Sequence, residues 1–196
     1  MNILVKSSNG ISQVSVDSKL MSQRRIFVEG EICPETACEF VKKIMLLNAE
    51  DSNKPIDVLI NSPGGCSVSG MLMYDVIQSS KAPIRTCCIG RAYSMAAILL
   101  ACSNHERYIL PHSEIMIHEP LLGNRVGGNS SSIKSISDSL LDTKRKMIRI
   151  LAKHTGQSEE IIEEATSFDH YYDSEESLKF GLVDAVIDFG KLMEEY

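Results

Sequence analysis

The chain has 196 residues, 43% of them hydrophobic and 23% charged, with a formal net charge of −6. That length and balance suit one globular domain with a substantial core and exclude collagen-like, fibrous and disordered classes. The 20 Lys and Arg residues are scattered apart from Lys144-Arg145-Lys146, so the chain offers no basic footprint for nucleic acid.

Residues 1–20 are polar and irregular: Ser7-Ser8-Asn9-Gly10 reads as a turn, and Ile11, Val14 and Val16 hint at a short hairpin or a mobile arm. This arm is set apart from a single domain over 21–196. A strand is predicted at Ile26-Phe27-Val28, then a helix with Pro34 in its first turn and apolar residues Ala37, Phe40, Val41, Ile44 and Leu47 at the 3.6 period. A second strand, Ile56 to Ile60, leads through Asn61-Ser62-Pro63-Gly64-Gly65 into a helix around Val68–Gln78. A third, Ile84 to Ile89, is expected to turn at Gly90 into a small-residue helix from Ser94 to Cys102. Strands alternating with helices imply an α/β fold with a parallel sheet.

Two short apolar segments follow, Arg107 to Leu110 and Ile115 to Ile117, the second ending at His118-Glu119-Pro120. After the Gly- and Ser-rich stretch from Gly123 to Ser132, a long helix carries Ile133, Ile136, Leu140, Met147 and Ile150 as a heptad seam, with Thr143 at the missing position. Leu141, Ile148 and Leu151 make a second stripe. Two stripes on so long a helix suit contact with a partner subunit on one side and with the protein's own fold on the other; a helix packed wholly on its own core is the plainer alternative. Ser158 and Ser174 are predicted N-caps, each before an acidic first turn, and a last strand is expected at Val183 to Ile187.

No apolar run approaches the ~20 residues of a membrane helix, the longest being Met95–Cys102, and the N-terminus lacks a signal-type core. The reading is a cytoplasmic protein with no membrane partner. The six cysteines include no CxxC pair, and most sit in apolar stretches, as small buried hydrophobes do. Neither a disulfide framework nor a zinc site is expected, because the Cys and His spacings match no ligand set. No metal or cofactor is implied.

Ser94 follows a strand and opens a helix, where a hydroxyl is exposed beside free N–H groups, which suits a nucleophile; Ser there is equally an ordinary N-cap. The glycine pair Gly64-Gly65 ends a strand on the same sheet edge and allows a backbone N–H to approach a substrate, although Pro-Gly is also a plain turn. His118 ends a strand before Pro120, an extended context; a lone His at such a place is more often structural. The remaining histidines, His105, His112, His154 and His170, read as surface residues. A Ser–His pair needs an acid to hold the imidazole tautomer, and Asp169, Asp173 and Asp184 all qualify. Spacing does not choose among them.

Taken together, Asn61-Ser62-Pro63-Gly64-Gly65, Ser94-Met95, Ile115 to Leu121, His154-Thr155-Gly156-Gln157 and Phe180-Gly181-Leu182-Val183-Asp184 resemble, in order, the landmarks of the Clp protease proteolytic subunit, from about Val16 to Val186. The resemblance implies a crotonase-like α/β fold with a protruding handle helix (region 123–155) and a triad with Ser94 as nucleophile, His118 as base and Asp169 as acid. It puts the oxyanion donors at the backbone N–H groups of Gly65 and Met95. It also implies heptameric rings stacked in pairs through Arg125–Lys153, a closed chamber that takes unfolded polypeptides, and an AAA+ unfoldase partner.

The chain departs from the family pattern in three places. Tyr93 and Ala96 replace the usual Ala and Gly around the nucleophile, and Phe168, after Ser167, replaces the Arg before the acid, which alters the contacts available for ring pairing. In the cleft where unfoldase loops dock, Leu59 and Tyr108 remain apolar, but Asp57 and Ser79 stand where large apolar side chains are usual, so Asp57 is expected to leave a carboxylate without a cation in an apolar groove. Two other classes compete. An acyl-CoA hydratase or isomerase on the same fold needs no Ser nucleophile, and a regulatory ring subunit would work beside an active paralogue.

Overall fold

Apolar residues that switch between a period of two and one near 3.6 set the alternation of strand and helix, and the computed structural model describes the chain over residues 1–7, 10–123 and 127–193. Ser8 and Asn9 of the expected arm, residues 124–126 of the expected handle region, Arg125 among them, and residues 194–196 lie outside the described residues. β1 (Asn2–Ser7) and β2 (Gly10–Ser15) form an antiparallel hairpin, and α1 (Val16–Ser22), capped by Ser15 Oγ, connects it to the rest.

Six elements alternate next: β3 (Arg25–Glu29), α2 (Pro34–Glu50), β4 (Ile56–Ser62), α3 (Ser67–Ser79), β5 (Ile84–Tyr93) and α4 (Met95–Ala101). β6 (Arg107–Ile109), β7 (Glu114–Ile117), α5 (Ser130–Thr155), α6 (Glu159–Thr166), β8 (His170–Tyr172), α7 (Ser174–Phe180), β9 (Ala185–Val186) and α8 (Phe189–Met193) complete the chain. The order β3-β4-β5-β6-β9 is parallel throughout, while β7 runs parallel to β5 and antiparallel to β8. This is the α/β, mostly parallel architecture of the predicted crotonase-like class.

Side chains alternate across the sheet, which divides its two faces. Val58, Ile60 and Cys88 join the main core with Phe40 and Ile44 of α2, Met73 and Ile77 of α3 and the whole of α4, whose seven residues are all buried. Leu59 and Cys87 point the other way, into a smaller cluster with Ile187. Each fully buried Ile or Leu contributes about 1.5–3 kcal/mol relative to exposure, so the helical face dominates the fold's stability.

The structure corrects several expectations. β5 does not turn at Gly90 but continues to Tyr93, and the β4–β5 register shifts between Ile60 and Ser62. A Cβ at Gly90 would sit 2.9 Å from Asn61 Oδ1, so the glycine permits close approach of the strands rather than ending one. Past that point β5 exchanges partners, from β6 at Thr86–Cys88 to β7 at Arg91–Tyr93. The last strand shortens to Ala185–Val186. α7 is capped by Asp173, not Ser174: Asp173 accepts from Glu176 N–H, and Glu176 accepts in return from Asp173 N–H, a reciprocal pair that a serine at the next position does not displace.

The two predicted stripes of α5 do not separate as expected. Met147 of the seam is buried in the main core beside Ile148 and Leu151 of the second stripe, whereas Leu141 of that second stripe is exposed together with Ile133 of the seam. Among the described residues, α5 buries side chains only in its C-terminal half, at Met147, Ile148 and Leu151, so position along the axis, rather than stripe, decides burial. Cysteines divide likewise: Cys87, Cys88 and Cys102 are buried, but Cys38 and Cys66 are exposed and Cys33 is half-buried, all six as free thiols.

Candidate active site

Ser94 occupies the junction of β5 and α4 with φ 54° and ψ −122°, a conformation L-residues rarely adopt, costing on the order of 1–3 kcal/mol. Its N–H donates to Met116 O at 2.8 Å, tying the turn to β7, and its carbonyl accepts from Ala97 N–H. The buried α4 behind it prevents relaxation. Its hydroxyl therefore projects away from the core, 2.8 Å from His118 Nε2.

His118 directly follows β7. The antiparallel register of β7 with β8 runs Ile115 to Tyr172, Met116 to Tyr171 and Ile117 to His170, so the next pair is His118 with Asp169. His118 Nδ1 lies 3.1 Å from Asp169 Oδ1. A carboxylate only accepts, so Nδ1 carries the ring proton and Nε2 is left to accept from the Ser94 hydroxyl. Just beyond, Glu119 N–H donates to Thr166 O at 2.7 Å and closes the loop that bears both residues. The other candidate acids are engaged elsewhere: Asp173 caps α7, and Asp184 pairs with Arg107, which holds its carboxyl below the ordinary value against the effect of burial. Among the three acids, only Asp169 reaches His118.

The loop before α3 packs directly on the Ser94 turn. A Cβ at Gly64 (φ 90°) would fall 2.6 Å from Tyr93 O and 2.8 Å from Ser94 Cβ, and one at Gly65 (φ 147°) would fall 2.3 Å from Ile32 O. An isolated parallel bridge between Ile32 and Gly65 is closed by Ile32 N–H to Gly64 O (2.8 Å) and Cys66 N–H to Ile32 O (2.7 Å). Those bonds use the groups on either side of Gly65, so its own N–H faces away from Ile32. Met95 N–H, first in α4, has no acceptor in its helix. Ser94, His118, Gly65 and Met95 all line one cavity of about 690 Å³. Its wall is mixed: Met95, Ile98, Met116, Pro120, Leu121 and Met147 supply the apolar part, and Glu31 and Ser67 join Ser94 and His118 in the polar part. Motif reading found neither this wall nor Cys66, which also lines it; Pro120-Leu121, two residues after His118, is the nearest signal.

The departures near the nucleophile do not enter this cavity. Tyr93 donates its hydroxyl to Glu114 Oε1, a bond that raises its pKa to about 12, and packs edge-on against Tyr171 at 5.6 Å between centroids. Ala96 is buried in the core, and Phe168, beside Asp169, is 85% exposed. Lys144 of α5 bridges Glu119 (2.9 Å) and Glu163 (3.2 Å), linking the long helix to the loop after His118. His105, His112 and His170 are exposed, but His154 is half-buried, 3.3 Å from Tyr74 Oη; burial pushes its pKa down to about 4.

The cleft residues need correction. Asp57 is 4% exposed and does not face an apolar groove without a cation: Arg85 Nε donates to its Oδ1 at 2.7 Å, and Arg25 Nε lies 4.0 Å from Oδ2. The tight parallel register of β3, β4 and β5 sets Arg25, Asp57 and Arg85 in one row across three strands. Leu59 and Tyr108 lie in the small cluster on this face, where Leu192 of α8 packs, while Arg25 donates to Leu192 O at 3.5 Å. Ser79 does not join them; it ends α3, which packs into the main core on the other face, and its hydroxyl donates to Asp75 O.

Among the described residues no helix is long and apolar enough to cross a membrane. A protein-family model described as Clp protease matches residues 8–189. With that match spanning most of its length over an α/β fold with a mostly parallel sheet, the chain belongs to the Clp protease family, a family of peptidases.

Proposed function

We propose that the chain is a serine endopeptidase that cleaves unfolded polypeptides inside a ring-shaped oligomer, with Ser94 as nucleophile, His118 as general base and Asp169 as the acid that orients it. The observation that carries this reading is the continuous chain Ser94 Oγ, His118 Nε2, His118 Nδ1, Asp169 Oδ1 at 2.8 and 3.1 Å, opening on one cavity. As Ser94 Oγ attacks a peptide carbonyl, its proton passes to His118 Nε2, and the imidazolium is stabilised by Asp169. The carbonyl oxygen becomes an oxyanion held by Gly65 and Met95 N–H, donors already positioned before reaction. His118 then returns the proton to the leaving amine, and water, activated by the same His118, releases the acyl group. The apolar part of the cavity wall, Met95, Ile98, Met116 and Met147, offers room for an apolar side chain next to the scissile bond.

The exposed apolar residues of the long helix, Ile133 and Leu141, support contact with other copies, as in heptameric rings stacked in pairs. Family membership supports coupling to an AAA+ unfoldase, with a docking face altered by the Arg25–Asp57–Arg85 row. The decisive experiment is labelling of the purified protein with a fluorophosphonate, together with hydrolysis of a fluorogenic peptide. Wild type is expected to be labelled at Ser94, and Ser94→Ala to lose several orders of magnitude in turnover. Substantial hydrolysis by Ser94→Ala would overturn the assignment.

A further inference from the structure

Cys33 and Cys66 stand at equivalent points of two successive strand-to-helix units, as the N-cap residues of α2 and α3. The bridge between Ile32 and Gly65 makes them the next pair in register. Both keep extended backbone (φ −131°, ψ 174° for Cys33; φ −60°, ψ 119° for Cys66), so the two chains run side by side for one residue past the bridge. Adjacent strands lie ~4.8 Å apart, inside the ~4.4–6.8 Å between Cα atoms that a disulfide spans. In-register residues of a parallel pair also project to the same side.

The two thiols differ from the other four. Cys87, Cys88 and Cys102 are buried in the sheet and in α4's end, where burial raises the thiol pKa. Cys38 is exposed, but it lies further along α2, beyond the bridged segment. Cys66 is exposed and lines the Ser94 cavity, and Ser69, through its side chain and backbone, holds its thiol below the ordinary value. A larger thiolate fraction favours attack on an oxidant. Cys33 is half-buried beside it, with the Thr36 hydroxyl 3.6 Å from its Sγ.

We propose that Cys33 and Cys66 form a reversible redox pair whose disulfide clips the loop carrying Gly65 and slows the peptidase site. The oxidant is a peroxide. Cys66 thiolate attacks one peroxide oxygen, forming an S–O bond as the O–O bond breaks and water leaves after protonation; Cys66 becomes a sulfenic acid. Cys33 then attacks that sulfur, the S–S bond forms, the S–O bond breaks and a second water leaves. Two thiols are oxidised and one peroxide is reduced to two waters. To reach Cys33, the Cys66 sulfur must leave the N-terminal turn of α3, and the adjacent Gly65, already pressed on Ile32 O, has no slack to absorb the movement without turning its N–H. The effect on turnover rests on Gly65 being an oxyanion donor, as proposed above; the pairing itself does not.

The test treats reduced full-length protein with hydrogen peroxide, maps it by mass spectrometry after non-reducing digestion, and measures hydrolysis of a fluorogenic peptide before and after dithiothreitol. The expected result is a peptide linking Cys33 to Cys66, with kcat reduced ~10-fold or more, short of the full loss of one oxyanion donor, and both changes reversed by dithiothreitol. Cys33→Ser keeps a good N-cap for α2 and is expected to retain wild-type turnover when reduced; on oxidation its Cys66 stops at the sulfenic acid and is trapped by dimedone. Oxidation of Cys66 without a link to Cys33, or a link to Cys38 instead, overturns the pairing. A Cys33–Cys66 link that leaves kcat unchanged overturns its coupling to Gly65. The linkage map reads out whichever residue is the nucleophile, whereas failure of the Ser94 reading shows separately, as hydrolysis by reduced protein that survives Ser94→Ala.

Discussion

Replacing Gly65 with Ala adds one carbon where the fold has no room for it. The new Cβ would lie 2.3 Å from Ile32 O and 2.8 Å from Ile32 N, both backbone atoms, at φ 147°. Neither atom belongs to a flexible side chain, and Ile32 is itself 1% exposed, so the loop has to move and the bridge to open. Two backbone hydrogen bonds worth about 0.5–1.5 kcal/mol each and strain of about 1–3 kcal/mol put the loss of stability at roughly 2–6 kcal/mol. For a chain of this size that lowers Tm by roughly 4–24 °C. The displaced N–H also removes an oxyanion donor, which lowers kcat by about 10²–10³-fold. Gly30→Ala is the matched control: it too has positive φ, 68°, but nothing lies within 4 Å of its Cβ, so it costs only the ~1–2 kcal/mol of a left-handed residue and leaves turnover intact. Steady-state hydrolysis of a fluorogenic peptide and thermal melts of both variants make the comparison. A Gly65→Ala protein with the lowered Tm but a wild-type kcat would refute the role given to this N–H.

Asp169→Asn is expected to fold normally and to lose on the order of 10³–10⁴ in kcat, because an amide facing Nδ1 favours the wrong tautomer of His118; hydrolysis near the wild-type rate would show that the acid lies elsewhere. Asp57→Tyr takes the carboxylate away from two buried guanidinium groups, so a loss of about 3–5 kcal/mol in denaturant unfolding is expected; a neutral result would show that Arg25 and Arg85 need no anion. His154, with a folded pKa near 4 against an ordinary 6.5, takes up its proton more readily when unfolded. Its contribution is therefore present above about pH 6.5 and lost as pH falls towards 4, and His154→Gln is expected to flatten the fall in Tm across that window. Light scattering is expected to give a mass near fourteen chains; a stable monomer at micromolar concentration contradicts the paired rings.

Much of the fold is legible in the sequence because the elements that form it are local. The helix opened by Pro34, the strand Ile56 to Ile60 and the long helix ending at Gly156 each declare themselves through periodicity and end signals within their own length. Errors fall where a neighbour in space overrules the local signal. Gly90 reads as a turn, yet it lies inside β5, where Asn61 leaves no room for a Cβ, and β8, only three residues long, has too little length to show a period. Leu141 and Leu151 share a stripe but not an environment, because α5 buries side chains along only part of its length.

By themselves the residues of this chain determine the α/β alternation, the strand-end positions of Ser94 and His118, and the glycine pair beside them, since each depends on chemistry within a few residues. Spacing leaves open which acid faces His118, since Asp169, Asp173 and Asp184 are alike in type; the resemblance implies Asp169, and the antiparallel pairing of β7 with β8 is the physical reason that this one lies opposite the ring. Tertiary structure alone surrounds Asp57 with Arg25 and Arg85, and puts Cys33 beside Cys66. These partners come from different strands and loops, and strand register, which no local pattern in a short strand encodes, sets who meets whom.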